Sequence, residues 1–409
     1  MRIGLFSDQF YPQVSGVVTS IKMLYEGLEA MGHECYIFTA IDDENCKDNP
    51  EITSKKIINF PGIYYPFKAA SEYKFNIAHR RFVKEIAKYN LDVIHINTEF
   101  NMAKIARTAA KELHIPVVYT VHTAWIQYIC TLFPVSDKFM HPFWVMCMRN
   151  LFTKPTYKSA EITILPTKKM LPDLKNYGIK GNDFRIIPTG IELFRFSDFK
   201  GTKEELDKLK EELGLKDKFI FAYIGRTAKE KNIEFIIEAF SKIANQNDKA
   251  RLLIVGGGPI LDELKDYASQ LRIYDKVVFT GLIPWEKIPY YYHIADVFVN
   301  ASNSETQGLT YVEALASGVP VLVKNDPCIE DVVQEGYNGF IFDTLEECVS
   351  KMQYCIDNDL TEVKNNTEPS SRKFSKEAFA KNIYDVYCEA IKSYYAKHKK
   401  WAKKKEEQK

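Results

Sequence analysis

The sequence predicts an α/β protein in which two doubly wound domains follow one another along the chain. Short apolar, β-branched runs alternate with segments of helical periodicity, which is typical of parallel sheets covered by helices. The length of 409 residues is sufficient for two domains of ordinary size. We therefore predict one domain over residues 1–190, a second over residues 191–374, and a C-terminal helix within residues 375–409 that packs back on the first domain.

The first domain opens with a buried-strand pattern at Ile3–Phe6 and a helical pattern that ends at Gly32. Further strand patterns are ECYIFTA, KKIINF, LDVIHIN, PVVYTVHT and EITILPT. The segment Tyr73–Asn90 has an apolar face and a basic face, the latter formed by Arg80, Arg81, Lys84 and Lys88. Such helices usually cover a core, and contact with a membrane is the alternative.

A strongly apolar and aromatic stretch follows between Ala124 and Phe152, where Trp144, Met148 and Phe152 share one helical stripe. Core packing is the usual reason for such a stripe. An acceptor with long acyl chains would also need this kind of surface.

The second domain repeats the alternation with the strand patterns FIFAYIGR, RLLIVGGGP, KVVFTGL, DVFVNAS and PVLVKN. Between the last two lies Asn303–Pro320, a polar loop followed by a helix pattern that begins at Gly308. Open α/β sheets bind ligands at this edge, and the free N–H groups of a helix start can hold a phosphate. Glu305 and Glu313 lie on either side of the helix start. By spacing alone, both would be solvated surface residues.

Composition excludes several classes of protein. The 55 Lys and Arg residues balance 54 acidic residues, so no global charge indicates a nucleic-acid partner. Eight scattered cysteines without a C-x-x-C pair indicate reduced cytosolic thiols. The N-terminus enters a strand pattern interrupted by Asp8, unlike a secretory signal, and no apolar run is long enough to span a bilayer. We expect a cytoplasmic protein whose membrane contact, if any, is peripheral.

Cations follow the first strand of the second domain, at Arg226 and Lys231. Transfer of a sugar from a nucleoside diphosphate breaks the anomeric bond while negative charge grows on the diphosphate, and cations and helix N-termini stabilise that charge. In the first domain, Gly16 precedes a helix and His122 ends a strand pattern. Because it has no side chain, Gly16 would let the backbone approach a ligand, and the alternative is a turn that needs glycine for its geometry alone. His122 is a candidate site residue, and the alternative is a histidine with a structural role.

The string NSETQGLTYVEALASGVP resembles the Glu-x7-Glu signature of retaining glycosyltransferases of family four. Other pieces match the same family, namely the loop with Gly16, the strand end at His122, IPTGIE, GRTAKEKN and VGGGP. The resemblance covers almost the whole chain. It implies the GT-B fold, with two Rossmann-like domains facing an interdomain cleft, and retention of anomeric configuration without a covalent enzyme intermediate.

The resemblance also implies roles for the candidate residues. Arg226 and Lys231 would contact the diphosphate, Glu305 would hold hydroxyls of the donor sugar, and Glu313 would hydrogen-bond the ribose. The backbone amides near Gly308 and Leu309 would contact phosphate or sugar oxygens of the donor. His122 would lie beside the donor sugar. No acidic triad for a metal-bound diphosphate stands out, so we expect no essential metal ion, with Mg²⁺ stimulatory at most.

Within family four, the chain resembles the diacylglycerol glucosyltransferases of Gram-positive bacteria and mollicutes through FSDQFYPQVSGVVTSIKML, INTEF, YTVHT and SETQGLTYVEALASGVPV. This implies a UDP-glucose donor, a 1,2-diacylglycerol acceptor and peripheral attachment to the anionic inner face of the cell membrane. The chain departs from these relatives at Ile126–Gln127, where they often carry an acidic pair. Two alternatives stay open: a soluble sugar or polysaccharide acceptor, and a nucleotide-sugar sensor without catalysis.

After Phe374, a long helical pattern leads into a Lys-rich end around Trp401. Such ends are usually frayed and solvated. The alternative is an electrostatic anchor, at about 1 kcal/mol for each basic residue near anionic lipid.

Overall fold

A computed structural model describes residues 1–11, 15–40, 56–64, 74–75, 79–122, 146, 149–176, 179, 183–302, 305 and 307–399. Ile126–Gln127, the side chains of the aromatic stripe ending at Phe152, and the Lys-rich end around Trp401 lie outside this description. The chain divides into two compact units. One comprises Met1–Gly190 with Lys376–Lys409, and the other comprises Ile191–Ser375.

The first unit contains a parallel sheet of seven strands in the order β3-β2-β1-β6-β7-β8-β9. These strands are β1 (Arg2–Phe6), β2 (Glu34–Thr39), β3 (Ile57–Asn59), β6 (Val93–Ile96), β7 (Val117–Thr120), β8 (Ile162–Leu165) and β9 (Asp183–Ile186). Strands β6, β7 and β8 are buried at every position, because helices cover both faces of the sheet. Their sequences are therefore continuous apolar runs with few polar interruptions.

A separate antiparallel ribbon is formed by β4 (Ile63–Tyr64) and β5 (Lys74–Phe75). It corrects one prediction, because Lys74–Phe75, in a segment expected to be helical from Tyr73, form a strand. The described helix of this segment is His79–Ala87.

The helices of the first unit are α1 (Gly16–Ala30), α2 (His79–Ala87), α3 (Asn101–Leu113), α4 (Lys154–Ser159) and α5 (Leu171–Asn176), with the C-terminal helix Lys376–Lys397. α1 and the C-terminal helix cover one face of the sheet, and α2 and α3 contribute to the core on the other. α1 and the C-terminal helix approach so closely that a Cβ at Gly27 would lie 2.5 Å from the Cβ of Ala380.

The second unit contains a parallel sheet of six strands in the order β12-β11-β10-β13-β14-β15. The strands are β10 (Phe219–Ile224), β11 (Ala250–Val255), β12 (Val277–Gly281), β13 (Val297–Asn300), β14 (Val321–Lys324) and β15 (Gly339–Phe342). The helices are α6 (Phe194–Ser197), α7 (Lys203–Glu212), α8 (Ile233–Ala244), α9 (Leu261–Gln270), α10 (Ile288–His293), α11 (Leu309–Ala316), α12 (Leu345–Asp357) and α13 (Thr361–Ser371).

Two hydrophobic clusters lie against this second sheet. α10 and α11 contribute to one cluster, and α8, α9 and α12 contribute to the other. Both units are thus doubly wound α/β sheets, as the sequence predicts. Within the described ranges, we find no helical segment with the length and hydrophobicity needed to span a bilayer.

Candidate active site

Two loops meet at the carboxyl edge of the second sheet because their strands, β10 and β13, are paired neighbours. The Nζ of Lys231, on the loop after β10, lies 2.6 Å from Oε1 of Glu305, on the loop after β13. Only 23% of the Lys231 side chain and 14% of the Glu305 side chain are exposed. The structure therefore brings these two predicted residues into one half-buried ion pair.

Side chains on either side of this pair join the same two loops. The Oγ of Ser302 donates to the carbonyl of Glu230 over 3.3 Å, and Nδ2 of Asn232 donates to the carbonyl of Ala301 over 3.3 Å. These bonds hold the Lys231 loop beside the Glu305 loop without using the ion pair itself.

Arg226 lies on the same loop as Lys231 but pairs with Glu230. Its side chain is 64% exposed, and its carbonyl accepts a 3.0 Å hydrogen bond from the hydroxyl of Tyr223. Exposed ion pairs contribute about 1 kcal/mol or less, so a diphosphate oxygen can replace Glu230 as the partner of the guanidinium at little cost.

The glycine-rich loop VGGGP supports the Arg226 loop through backbone contacts that exclude side chains. A Cβ at Gly256 would lie 2.0 Å from the carbonyl oxygen of Gly225, and a Cβ at Gly258 would lie 2.2 Å from that of Thr227. The N–H of Thr227 donates to the carbonyl of Gly257 over 3.0 Å. These glycines therefore position the cation-bearing loop.

The start of α11 has a left-handed glycine as its N-cap residue. Gly308, the N-cap residue, has φ +68°, and a Cβ there would lie 2.4 Å from Cδ2 of the buried Tyr311. Leu309 is the first helical residue. Because the N-cap residue has no side chain, no N-cap group competes with a ligand oxygen for the first amides of α11.

Glu313 is a buried residue, 8% exposed, which corrects the expectation from spacing that it would be solvated. The hydroxyl of Tyr292, on α10, donates to its Oε2 over 2.8 Å. Burial raises the pKa of the carboxyl to about 7, and the bond from Tyr292 partly opposes this rise. Near neutral pH this carboxyl can therefore both accept and donate a hydrogen bond to a hydroxyl.

In the first unit, His122 follows β7 and is half-buried. Its Nε2 lies 3.3 Å from Oδ1 of Asn97, which follows β6. Burial lowers the pKa of His122 to about 4, so the imidazole is neutral at physiological pH.

Gly16 is the first residue of α1, after the N-cap Ser15, whose Oγ accepts from the N–H of Val18 over 3.3 Å. A Cβ at Gly16 would meet no described atom within 4 Å. Packing against the described part of the chain therefore does not require glycine there.

The predicted site residues thus divide between the units. Gly16 and His122 lie in the first, and the others lie at one edge of the second sheet: Arg226, Lys231, Glu305, Gly308, Leu309 and Glu313. No group of three or more His, Cys, Asp or Glu side chains suited to a metal ion occurs among the residues that the structure describes.

Two buried carboxyls of the first unit were not assigned a role from the sequence. Asp8, after β1, accepts from the hydroxyl of Thr98 over 2.6 Å and from the N–H of Met102 over 2.9 Å, so it caps α3 from another strand. Glu99 accepts from the hydroxyl of Tyr119. Burial raises the pKa of Asp8 to about 6 and that of Glu99 to about 8. The available signal was a short polar segment after each apolar strand, Ser7–Asp8 after β1 and Asn97–Glu99 after β6.

The two parallel-sheet units define the GT-B class of glycosyltransferases, and family comparisons agree. Residues 14–195 match the family described as Glycosyltransferase Family 4, and residues 205–378 match Glycosyl transferases group 1. The chain belongs to glycosyltransferase family four.

Two curated relatives match almost the whole chain. An alpha-monoglucosyldiacylglycerol synthase of Acholeplasma laidlawii is 36% identical over 397 residues, covering 96% of this chain and 98% of the relative. One from Streptococcus pneumoniae is 35% identical over 395 residues, covering 96% of this chain and 86% of the relative.

Solved structures share the fold at lower identity. Anabaena HepE, in complex with UDP and glucose, superposes with a TM-score of 0.70 at 16% identity, covering 95% of this chain and 100% of that one. Sucrose-phosphate synthase of Thermosynechococcus elongatus gives a TM-score of 0.71 at 20% identity, covering 96% and 99%.

Proposed function

We propose that this protein transfers glucose from UDP-glucose to 1,2-diacylglycerol with retention, giving alpha-monoglucosyldiacylglycerol. The observation that carries the proposal is the Lys231–Glu305 ion pair at the carboxyl edge of the second sheet. The relatives named alpha-monoglucosyldiacylglycerol synthases support the choice of sugar and acceptor.

In the proposed reaction, the bond between the anomeric carbon and the diphosphate oxygen breaks as the acceptor hydroxyl oxygen bonds to the same face of that carbon. The hydroxyl proton passes to the departing diphosphate. Lys231, Arg226 and the first amides of α11 stabilise the charge that grows on the diphosphate. Because Lys231 is held at Glu305, the carboxylate that binds sugar hydroxyls and the cation that binds phosphate are fixed relative to each other.

Glu313 is proposed to bind the ribose of the donor. Tyr292 occupies Oε2 of its carboxyl, which fixes the orientation of the group. The proposed partner is a ribose hydroxyl, which can act as donor or acceptor, and the pKa of about 7 suits the carboxyl to either arrangement.

We propose that the enzyme needs no essential metal ion, because the diphosphate already meets two cations and a helix start. Transfer should therefore persist in excess EDTA, with Mg²⁺ giving at most a stimulation. Complete loss of activity in EDTA, restored by Mg²⁺, would contradict this.

A lipid acceptor requires contact with a membrane, which we propose is peripheral and on the anionic inner face. On α2 the apolar residues Phe82, Val83 and Ile86 are buried in the core of the first unit. The exposed cations of this segment are Arg81, Lys84 and, just after the helix, Lys88. In the proposed contact, these cations attract anionic lipid while the apolar face of α2 stays in the core.

The test is transfer from UDP-[¹⁴C]glucose to diacylglycerol in vesicles containing anionic lipid, with products identified by mass spectrometry. Glu305→Ala should lower transfer by at least about 100-fold, because the carboxylate that holds the donor sugar in the reactive position is lost. Glu263→Ala, which removes an exposed carboxylate from α9 in the same unit, is the matched control and should retain full activity.

The alternatives have their own outcomes in this assay. Transfer to soluble sugars but not to diacylglycerol in vesicles would indicate a soluble sugar or polysaccharide acceptor. The departure from the lipid glucosyltransferases at Ile126–Gln127 bears on the same question. Binding of UDP-glucose without transfer or hydrolysis would indicate a sensor. Full activity of Glu305→Ala would refute the assigned site.

A further inference from the structure

The hydroxyl of Tyr292, on α10, lies between two acceptors that both belong to α11. Its oxygen is 2.8 Å from Oε2 of Glu313 and 3.3 Å from the carbonyl oxygen of Thr310. A phenol hydroxyl has one proton to donate, while its oxygen can accept another hydrogen bond. The two acceptors therefore compete for a single proton.

Packing fixes the ring of Tyr292, so that only the proton of its hydroxyl is free to change direction. The residue is fully buried. Its ring centroid lies 5.7 Å from that of Phe196 and 5.9 Å from that of Phe298, and both phenylalanines are buried as well. Because such an interior is close-packed, the oxygen stays within reach of Glu313 and Thr310 whichever of them takes the proton.

The protonation state of Glu313 decides which acceptor takes this proton. When the carboxyl is ionised, Oε2 accepts from Tyr292 in a charge-assisted bond, which is stronger than a bond to a neutral carbonyl. When Oε2 carries a proton, it donates to the oxygen of Tyr292, and the hydroxyl of Tyr292 donates to the carbonyl of Thr310. That carbonyl can accept because its oxygen has two lone pairs and a helical hydrogen bond uses only one.

Burial and the bond from Tyr292 set the pKa of Glu313 at about 7, so both protonation states are populated near neutral pH. His293, next to Tyr292 on α10, has its pKa lowered to about 4 by burial and is neutral in this range. Charged side chains on α6, on α13 and on the loop before α11 have partners of their own, and these pairs are Arg195–Glu192, Lys364–Asp296, Arg372–Glu368 and Lys231–Glu305. Other titratable groups on α11 and the elements around it are Tyr223, Tyr290, Tyr291, Tyr311, Lys324 and Glu362.

We propose that Tyr292 is a positioning residue whose hydroxyl ties the first turn of α11 to α10 when Glu313 is protonated and releases that turn when Glu313 is ionised. Thr310 is the second residue of α11, directly after Leu309. Release of its carbonyl therefore acts on the turn whose first amides are proposed to bind the diphosphate. This consequence for the donor rests on the proposed function, whereas the reversal of the hydrogen bonds does not.

The carbonyl of Thr310 can be observed by NMR in the full-length protein without ligand. With ¹³C at threonine carbonyls and ¹⁵N at tyrosine amides, only threonines followed by tyrosine give a signal, and the sequence has two such pairs, Thr310–Tyr311 and Thr156–Tyr157. Accepting a hydrogen bond moves a carbonyl carbon downfield. We expect the Thr310 signal to move upfield between pH 6 and pH 8, with its midpoint near the pKa of Glu313, about 7. The Thr156 signal, whose carbonyl accepts from Oγ of Ser159 over 2.7 Å, should stay in place as the internal control.

Two variants separate this exchange from other effects of pH. Glu313→Gln cannot ionise and donates from its amide to Tyr292, so its Thr310 signal should keep the low-pH position throughout. Tyr292→Phe lacks the hydroxyl, so its Thr310 signal should keep the upfield position throughout. A wild-type Thr310 signal that is independent of pH, or one that still titrates in Tyr292→Phe, would overturn the proposal. If Tyr292→Phe fails to fold, the wild type and Glu313→Gln decide the matter.

The link to donor binding has its own measurement. Loss of one hydrogen bond from the first turn should raise the wild-type dissociation constant for UDP-glucose by about two- to tenfold from pH 6 to pH 8, and Glu313→Gln should show no such rise. Equal wild-type affinity at the two pH values would refute this link. Protein that binds UDP-glucose with the expected pH dependence but makes no glucosyl lipid would instead refute the proposed function, because the NMR measurement needs no turnover.

Discussion

Replacing Gly308 by alanine perturbs the start of α11 in two separable ways. The residue has φ +68°, where an L side chain is strained, at a cost of about 1–2 kcal/mol. The new Cβ would also lie 2.4 Å from Cδ2 and 2.5 Å from Cε2 of Tyr311, whereas ordinary contact begins at 3.4 Å. The ring must therefore retreat by about 1 Å in a close-packed interior.

Gly318 provides the matched control for the backbone part. It has φ +79° and lies at the other end of α11, where a Cβ would meet no described atom within 4 Å. Gly318→Ala should therefore lower the free energy of unfolding by only about 1–2 kcal/mol, which is the cost of the strained backbone. Gly308→Ala should lower the free energy of unfolding by about 1–3 kcal/mol more, because its Cβ overpacks against Tyr311.

The measurement is urea unfolding of both variants, comparing the free energy of unfolding in the transition of the second unit. Displacement of Gly308 also moves the first amides of α11, so the KM for UDP-glucose should rise in Gly308→Ala and remain near wild type in Gly318→Ala. Equal destabilisation of the two variants would refute the overlap with Tyr311, and an unchanged KM would refute the phosphate role of the helix start.

Three further predictions concern Glu313, Gly258 and Tyr387. The pKa of Glu313 is raised from 4.5 to about 7, so the folded state retains a proton that the unfolded state releases, and stability should fall by about 3 kcal/mol as pH rises across that interval. Urea unfolding at pH 5 and pH 8 should show this fall reduced in Glu313→Gln, and an unaltered fall would contradict the burial of a carboxyl. Gly258→Ala places a Cβ 2.2 Å from a backbone carbonyl of the cation-bearing loop and should raise the KM for UDP-glucose, whereas Gly336→Ala, which meets open space, should not. Tyr387→Phe leaves the buried Nδ1 of His95 unpaired and should cost about 1–3 kcal/mol in thermal unfolding; no loss would show that the bond is dispensable.

Alternation of strand and helix patterns predicted both doubly wound sheets, because buried parallel strands must be continuous apolar runs. It did not give the strand order, and only the family resemblance assigned Lys231 and Glu305 to one donor site; the structure places their charged groups 2.6 Å apart. The charged segment at Gly201–Lys216 was not predicted as helical. There α7 starts with a capping box between Thr202 and Glu205, a signal present in the sequence.

The environment of Glu313 could not be predicted from local sequence. Its burial depends on Tyr292, 21 residues earlier on a different helix, and periodicity within α11 does not identify that partner. Asp8 presents the same difficulty, because it caps α3 across a separation of 94 residues to Met102. Both carboxyls acquire raised pKa values from tertiary packing, which spacing along the chain does not encode.

The ion pair between Lys231 and Glu305 resolves an electrostatic difficulty in the proposed reaction. A carboxylate close enough to bind the donor sugar also faces the anionic diphosphate, and two like charges 4 Å apart at an effective dielectric of 20 repel by about 4 kcal/mol. Lys231, only 23% exposed and already in contact with Glu305, offsets that repulsion before the donor arrives. The same ammonium can then bind the departing diphosphate without first being desolvated, so its electrostatic contribution is already in place when the leaving-group charge develops.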